Sequence, residues 1–384
     1  MSAERRRPED FLELVERSKR GRLKLYLGFA AGVGKTYRML EEAHGLRQRG
    51  VDVVIGFVEP HGRAETAALI GELEQVPLTS IEYRGVVIQE MDPRAVIARH
   101  PQVALVDEIA HTNAPGLPNR KRYRDVLELL GAGINVIAAF NVQHLESLND
   151  LVERTTGVTV RETVPDTFLK QADQIVTLDL SVEDLLERLR AGKIYTPDKV
   201  PWALEHFFRE ENLTALRELV LREVAESLER AVPAAPGPGG AQHPAGGKVM
   251  VCIASFSPRA AVLLRRGSRM AGRLNTDWYM AYVETPAEAP DRIDATAQRH
   301  LHDTIEMARE LGAEVVRLKG RDPVEVLVAF ARSHHVGHLI VGRSHQAWWR
   351  RLLGRDIVQR LVERGADFDV HIVALAERDG GDGP

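Results

Sequence analysis

The run Gly28-Phe29-Ala30-Ala31-Gly32-Val33-Gly34-Lys35-Thr36 follows the apolar stretch Leu23–Leu27 and precedes a segment of helical character. A phosphate needs backbone that curls around it with N–H groups inward and a helix N-terminus beneath, which is the use of Gly32 and Gly34. Lys35 would neutralise β- and γ-phosphates and Thr36 would ligate Mg²⁺, so Gly28, Ala31, Gly32, Val33, Gly34, Lys35 and Thr36 form a candidate nucleotide-binding set. The spacing departs from the usual motif: Phe29 occupies the place of the first glycine, and Gly28 stands one residue further out. An ordinary glycine-rich turn is the competing reading, and the joint occurrence of strand, GxGKT and helix weighs against it.

Such a loop usually takes a carboxylate from a second strand end, and Val103-Ala104-Leu105-Val106 runs into Asp107 and Glu108. Asp107, with Thr36, would hold Mg²⁺ and its water shell. Glu108 is the candidate catalytic group, orienting an attacking water, against a reading as a surface or helix-capping acid. Glu59 to Thr66, His111-Thr112-Asn113 and Asn141 to His144 are further polar strand ends. They should converge on the same carboxyl edge, where Arg63 could contact a γ-phosphate and His111 or His144 could sense it. Helix caps and surface polarity remain the alternative for each.

The elements that must position these groups follow from the apolar runs. Leu23–Leu27, Val51–Val58, Val103–Val106, Val136–Phe140 and Ile175–Leu178 alternate with helical-period segments, the pattern of a parallel α/β sheet. Ala203–Arg230 has apolar residues at helical spacing and closes this part as one or two amphipathic helices. Ala231–Gly247 has no Asp, Glu, Lys or Arg and reads as a Pro/Gly linker. Beyond it, Val249–Ala254, Trp278–Val283, Val315–Leu318, Leu339–Val341 and Val370–Leu375 imply a smaller, doubly wound α/β domain.

At 384 residues, 44% hydrophobic and 28% charged, the chain can build more than one core. A net charge of −4 makes no global case for nucleic acid or an acidic membrane as partner, and no direct nucleic acid binding is expected. A single cysteine, Cys252, excludes a disulfide framework or a cysteine metal site within the chain. The N-terminal MSAERRRPEDFLE carries charges where a secretory signal is apolar, and no apolar run approaches the roughly 20 residues of a spanning helix. The expected location is cytoplasmic, with no transmembrane segment.

GRLKLYLGFAAGVGKT, EPHGRAET, VDEIAHTNAPG, NVQHLESLND, RETVPD and ENLTALREL, in this order between about Arg22 and Arg230, resemble the sensor domain of the KdpD potassium-sensor kinase family, including its unusual P-loop spacing. The resemblance implies a cytoplasmic regulatory domain whose nucleotide site, carried by Gly28–Thr36, modulates a distant kinase. The second domain is similar to the universal stress protein domain that follows in that family. ATP-binding members of that fold carry G-x-x-G, a spacer and Gly-Ser/Thr. Here His345 replaces the second glycine and Arg355 follows Gly354, which argues against ATP in this domain. Some relatives bind cyclic di-AMP through Ser-x-Ser and a later aromatic stretch ending in Tyr. Ser255, Ser257 and Tyr282 stand at similar spacing and form a second candidate ligand set, against a reading as capping serines and core aromatics.

The expected organisation is a charged arm at 1–21, a P-loop sensor domain at 22–230, a flexible linker at 231–247, a universal stress protein-like domain at 248–376 and a tail at 377–384. Family members continue into transmembrane helices and a histidine kinase core, and the sequence to Pro384 holds neither. The resemblance therefore implies an ATP- and Mg²⁺-binding regulatory module of a potassium or osmotic two-component system. It would act in trans on a membrane sensor kinase or another potassium-response component, with oligomerisation open. A P-loop ATPase or small-substrate kinase, and a cyclic di-AMP-binding module, are the competing readings. His334, His335 and His338 have no acid nearby in sequence and read as surface histidines rather than metal ligands. Basic stretches at Arg5–Arg7, Arg17–Arg22 and Arg350-Arg351, the last beside Trp348-Trp349, read as solvated faces or as docking surfaces for a partner.

Overall fold

The computed structural model describes residues 20–83, 85–231, 247–254, 257, 259–274, 276–286, 294–343, 357–364 and 368–374. They fall into two compact units, the first reaching Val224 apart from Pro165–Thr167, the second comprising those three residues and Ala225 onward. Residues 1–19 of the expected arm, 232–246 of the linker, the tail, Ser255, His345 and the stretch Trp348 to Arg355 lie outside the described residues.

The first unit is built on strands β1 (Leu23–Gly28), β2 (Val53–Phe57), β3 (Glu74–Gln75), β6 (Val103–Val106), β7 (Asn135–Asn141) and β8 (Gln174–Leu178). They form one sheet in the order β3-β2-β6-β7-β1-β8, every pairing parallel. Helices α1 (Lys35–Gln48), α2 (Ala64–Ile70), α3 (Pro93–Arg99), α4 (Arg122–Gly131) and α5 (Asn149–Thr156) lie between them in sequence, and α6 (Val182–Arg190) follows β8. Both faces of the sheet are covered, which is why its strands read as unbroken apolar runs. Leu23, Leu25 and Leu27 of β1 enter one core with Val126 and Leu129 of α4, and Tyr26 enters the opposite core with Met39, Leu40 and Ala43 of α1.

Between Thr79 and Glu90 the first unit holds a pair of strands with no counterpart in the sequence reading. A hairpin of β4 (Thr79–Tyr83) and β5 (Val86–Glu90) pairs antiparallel around a turn at Gly85, whose φ is 77°. Both of its faces are largely solvated, so neither strand carries the long apolar run by which the sheet strands are recognised. The stretch expected to close this part as one or two amphipathic helices forms two, α7 (Val200–Glu205) and α8 (Glu210–Ala231). Phe208 is buried between them, and Asn212 donates to the carbonyls of His206 and Phe207 that the break leaves free.

The second unit carries β9 (Lys248–Ile253), β10 (Trp278–Glu284), β11 (Glu314–Lys319), β12 (Val336–Arg343) and β13 (Asp369–Ala374) in the order β11-β10-β9-β12-β13, all parallel. Helices α9 (Ala260–Arg273) and α10 (Ala295–Glu310) pack on one face, and α11 (Pro323–Ser333) and α12 (Ile357–Arg364) on the other. This is the doubly wound arrangement expected from the five apolar runs. Asp294 caps α10 by accepting from the amides of Thr296 and Ala297, and Asp322 caps α11 ahead of Pro323 at its first position. Among the described residues no helix is long and apolar enough to cross a membrane.

Candidate functional site

The glycine loop stands between the carboxyl end of β1 and the start of α1, and each departure from the usual motif has a packing reason. Gly28 is required by close approach: a Cβ there would sit 2.5 Å from Val33 Cγ2 and 3.1 Å from Lys35 Cδ. Phe29, in the place of a glycine, is a core residue. Gly32 at φ 90° and Gly34 at φ 97° adopt the left-handed backbone that glycine takes without strain, and at Gly32 a Cβ would also collide with Ile194. Gly34 begins α1 with no side-chain cap, so the amide donors of the first turn are left to an anion.

Lys35 is 8% exposed, and its Nζ donates to the Ala30 carbonyl at 3.0 Å and to the side-chain oxygen of Asn141. Neither acceptor is charged. Burial pushes the ammonium down to about 8, Asp107 opposing and Arg63 adding to the fall. Thr36 Oγ1 donates to Asp107 Oδ2 at 2.6 Å. Burial also raises the pKa of Asp107, against the hydrogen bonds from Thr36 and the Glu108 amide. A buried cation short of negative charge, beside a hydroxyl and a buried carboxylate, has the donor set that a polyphosphate with Mg²⁺ would complete: Thr36 as a direct ligand and Asp107 through the metal's water. Strand order explains Asn141, because β7 lies between the strand of Lys35 and that of Asp107 and its carboxyl end falls in the gap.

Glu108 leaves β6 at φ 52° and meets His61, itself at φ 51°, with His61 Nε2 to Glu108 Oε1 at 2.8 Å. The hydrogen bond raises the pKa of His61 and lowers that of Glu108, burial opposing both. On the other side Arg122 Nη1 stands 3.7 Å from Glu108 Oε2. Arg122 is 1% exposed, donates from Nη2 to Glu90 Oε2 at 3.0 Å, and lies over the Phe57 ring at 3.6 Å. Burial favours protonating Glu90, but His111, the Ala114 amide and Arg122 together hold its pKa below the ordinary value. The His61–Glu108 pair adds stability above about pH 4.5, and His61's share is lost as pH rises above 6.5 through its raised folded value. His61→Gln is therefore expected to destabilise the protein more at pH 6 than at pH 8.5, measured by urea unfolding at both. An equal loss at the two pH values would rule out the charged pair.

The cleft above these groups measures about 990 Å³, within the range of small-molecule sites. The structure brings Gly32, Val33, Gly34, Lys35, Thr36, Arg63, Asp107 and Glu108 together around it, with His111 and His144 on its wall. His144 Nδ1 pairs with the Glu162 carbonyl at 2.8 Å, and burial lowers its pKa. Arg188, whose Nη1 donates to the Gly32 carbonyl at 3.2 Å, and Glu162 were not indicated by the sequence. Arg188 is a charge on the amphipathic helix α6, and Glu162 is a loop acid within the RETVPD segment, to which the sequence reading gave no site role. In the second unit, Ser255 lies outside the described residues, and Ser257 is half-buried with its carbonyl facing His300 Nε2 at 2.6 Å. Tyr282 is buried in the core and its hydroxyl bonds to Arg317, as befits an aromatic of a strand covered on both faces.

Residues 19–228 match the family described as "Osmosensitive K+ channel His kinase sensor domain". The sensor protein KdpD of Escherichia coli is 43% identical over 96% of this chain, which spans 41% of that protein's length. A putative sensor protein KdpD of Synechocystis is also 43% identical, over 93% of this chain and 95% of its own length. Among solved structures, a universal stress protein in complex with cAMP is 25% identical over 34% of this chain and 97% of its own, with a TM-score of 0.26. A sensor-domain match that takes in the whole glycine loop, with 43% identity to a relative matched along nearly its full length, means that this chain belongs to the KdpD sensor family.

Proposed function

We propose that the first unit is an ATP-responsive regulatory module in which Mg-ATP binds through Gly28, Ala31, Gly32, Val33, Gly34, Lys35 and Thr36. Asp107 orients the metal's water and Arg63 reaches the terminal phosphate. The bound state alters how the chain engages a partner in trans, a membrane sensor kinase or another component of a potassium or osmotic two-component response. The observation that carries this reading is Lys35 Nζ, buried and, among the described residues, hydrogen-bonded only to neutral acceptors at an uncapped helix start. A polyphosphate supplies the missing negative charge.

A second reading, a P-loop ATPase or small-substrate kinase, is favoured by the position of Glu108 in the same cleft. In this state its carboxylate is engaged by His61 and Arg122, which makes it a weak base. Calorimetric titration of ATP with Mg²⁺, with phosphate release followed in parallel, separates the two. One equivalent bound with negligible release supports a switch. Steady release that Glu108→Gln abolishes, with binding retained, moves the assignment to the enzyme, and no ATP binding at all sinks both. Titrating cyclic di-AMP in the same series addresses the second unit, where affinity should not depend on Lys35.

A further inference from the structure

We propose that His338, Asp369 and His371 form a site for one borderline divalent transition cation of the Zn²⁺ class, at the amino end of the last two strands of the second unit. In the parallel register of β12 and β13, His338 lies opposite Asp369 and Ile340 opposite His371. The two-residue period of a strand puts 338, 369 and 371 on one face. His338 Nδ1 stands 3.3 Å from His371 Nε2 and 3.5 Å from Asp369 Oδ2, and the three ligand atoms all lie within 4.8 Å of one another.

Those separations match what a metal needs. Ligands about 2.0–2.2 Å from a tetrahedral cation are about 3.3–3.6 Å apart, so the His338–His371 and His338–Asp369 edges are already at the right length. Both imidazoles sit on hydrogen-bonded strands, so placing the ligands requires no loop to order. Asp369, with a side chain 77% exposed, has room to close the third edge. Two imidazole nitrogens and one carboxylate select a borderline cation over Mg²⁺ or Ca²⁺, which take all-oxygen shells. Three protein ligands leave a fourth position to water. Arg266 of α9 acts electrostatically on His371 and works against a cation, while the Asp369 carboxylate offsets it. The site would join β13, an edge strand, to β12 and so stabilise the second unit when loaded.

The test uses the full chain, stripped with a chelator and titrated with ZnCl₂ against a chromophoric competitor in excess Mg²⁺. Mg²⁺ occupies oxygen sites such as Thr36 and Asp107, so the readout is confined to nitrogen-containing ones. One equivalent is expected, with affinity at least tenfold lower in His371→Ala and His338→Ala and unchanged in the exposed His302→Ala. Co²⁺ in place of Zn²⁺ should give an intense tetrahedral d–d band, absent in His371→Ala. Should either histidine variant fail to fold, Asp369→Asn carries the test, since its exposed side chain can change without touching the core; at least a fivefold loss is expected. No bound equivalent in the wild type, or one retained at full affinity by folded variants, overturns the site. The histidines would then be a hydrogen-bonded pair only.

Discussion

Lys35→Met is expected to weaken Mg-ATP binding by at least about a hundredfold, the loss of two charge-assisted contacts, while raising the unfolding temperature of the nucleotide-free protein. Without phosphate, the buried ammonium rests on the Ala30 carbonyl and Asn141. Burial pushes its pKa down to about 8 from 10.5. A base whose folded pKa lies below its unfolded value destabilises the fold at low pH. Stability then rises between about pH 8 and 10.5, where the unfolded chain binds a proton that the folded one does not. The wild type should gain on the order of a few kcal/mol across that window, and Lys35→Met should show no such gain. Phosphates would restore the charge, so ATP binding near pH 9 should take up a proton, measurable by calorimetry in buffers of different ionisation heat. A Lys35→Met protein that binds ATP as the wild type does would falsify the assignment. One that loses stability with an unchanged pH profile would show that the ammonium is satisfied without a ligand.

The largest stability effect is expected from Arg122→Ala. Its guanidinium is 1% exposed, faces Glu90 across 3.0 Å, and leaves Nε and Nη1 without hydrogen bonds among the described residues. Removing it strands a buried carboxylate, which costs about 3–5 kcal/mol, a fall on the order of 10 °C in the thermal transition for a unit of this size. Glu90 also accepts from His111 and the Ala114 amide. The double variant Arg122→Met with Glu90→Gln keeps an acceptor for that amide, removes both charges, and should recover much of the loss. Additive losses in the double-mutant cycle would mean that Arg122 acts through its packing on Phe57 rather than through Glu90.

The Glu90–Arg122 pair also marks where sequence reading stopped. The glycine loop between strand and helix was legible because all its parts are contiguous: a buried strand, two glycines with left-handed backbone, Lys35-Thr36 and a helix start within a few turns of chain. Asp107 was legible for a related reason, since an apolar strand ending in acid puts the acid at the carboxyl edge. Glu90 ends a mostly solvated hairpin strand and Arg122 opens a helix, and nothing local joins residues so far apart.

The second unit repeats the division. The short-range pattern of its five strands implied the doubly wound class, while the family resemblance offered Ser255, Ser257 and Tyr282 as candidate ligands. The full burial of β10 instead turns Tyr282 into the core. His338 seemed to have no acid near it until parallel pairing with β13 brought Asp369 and His371 to its face. By itself the sequence determined the order of elements, the covered parallel sheets and the backbone of the glycine loop, because apolar runs and glycine backbones act over a few residues. Only the tertiary structure decided which distant charges meet, because strand order and register are fixed by packing the whole sheet, and a shift of one residue would turn every side chain to the other face.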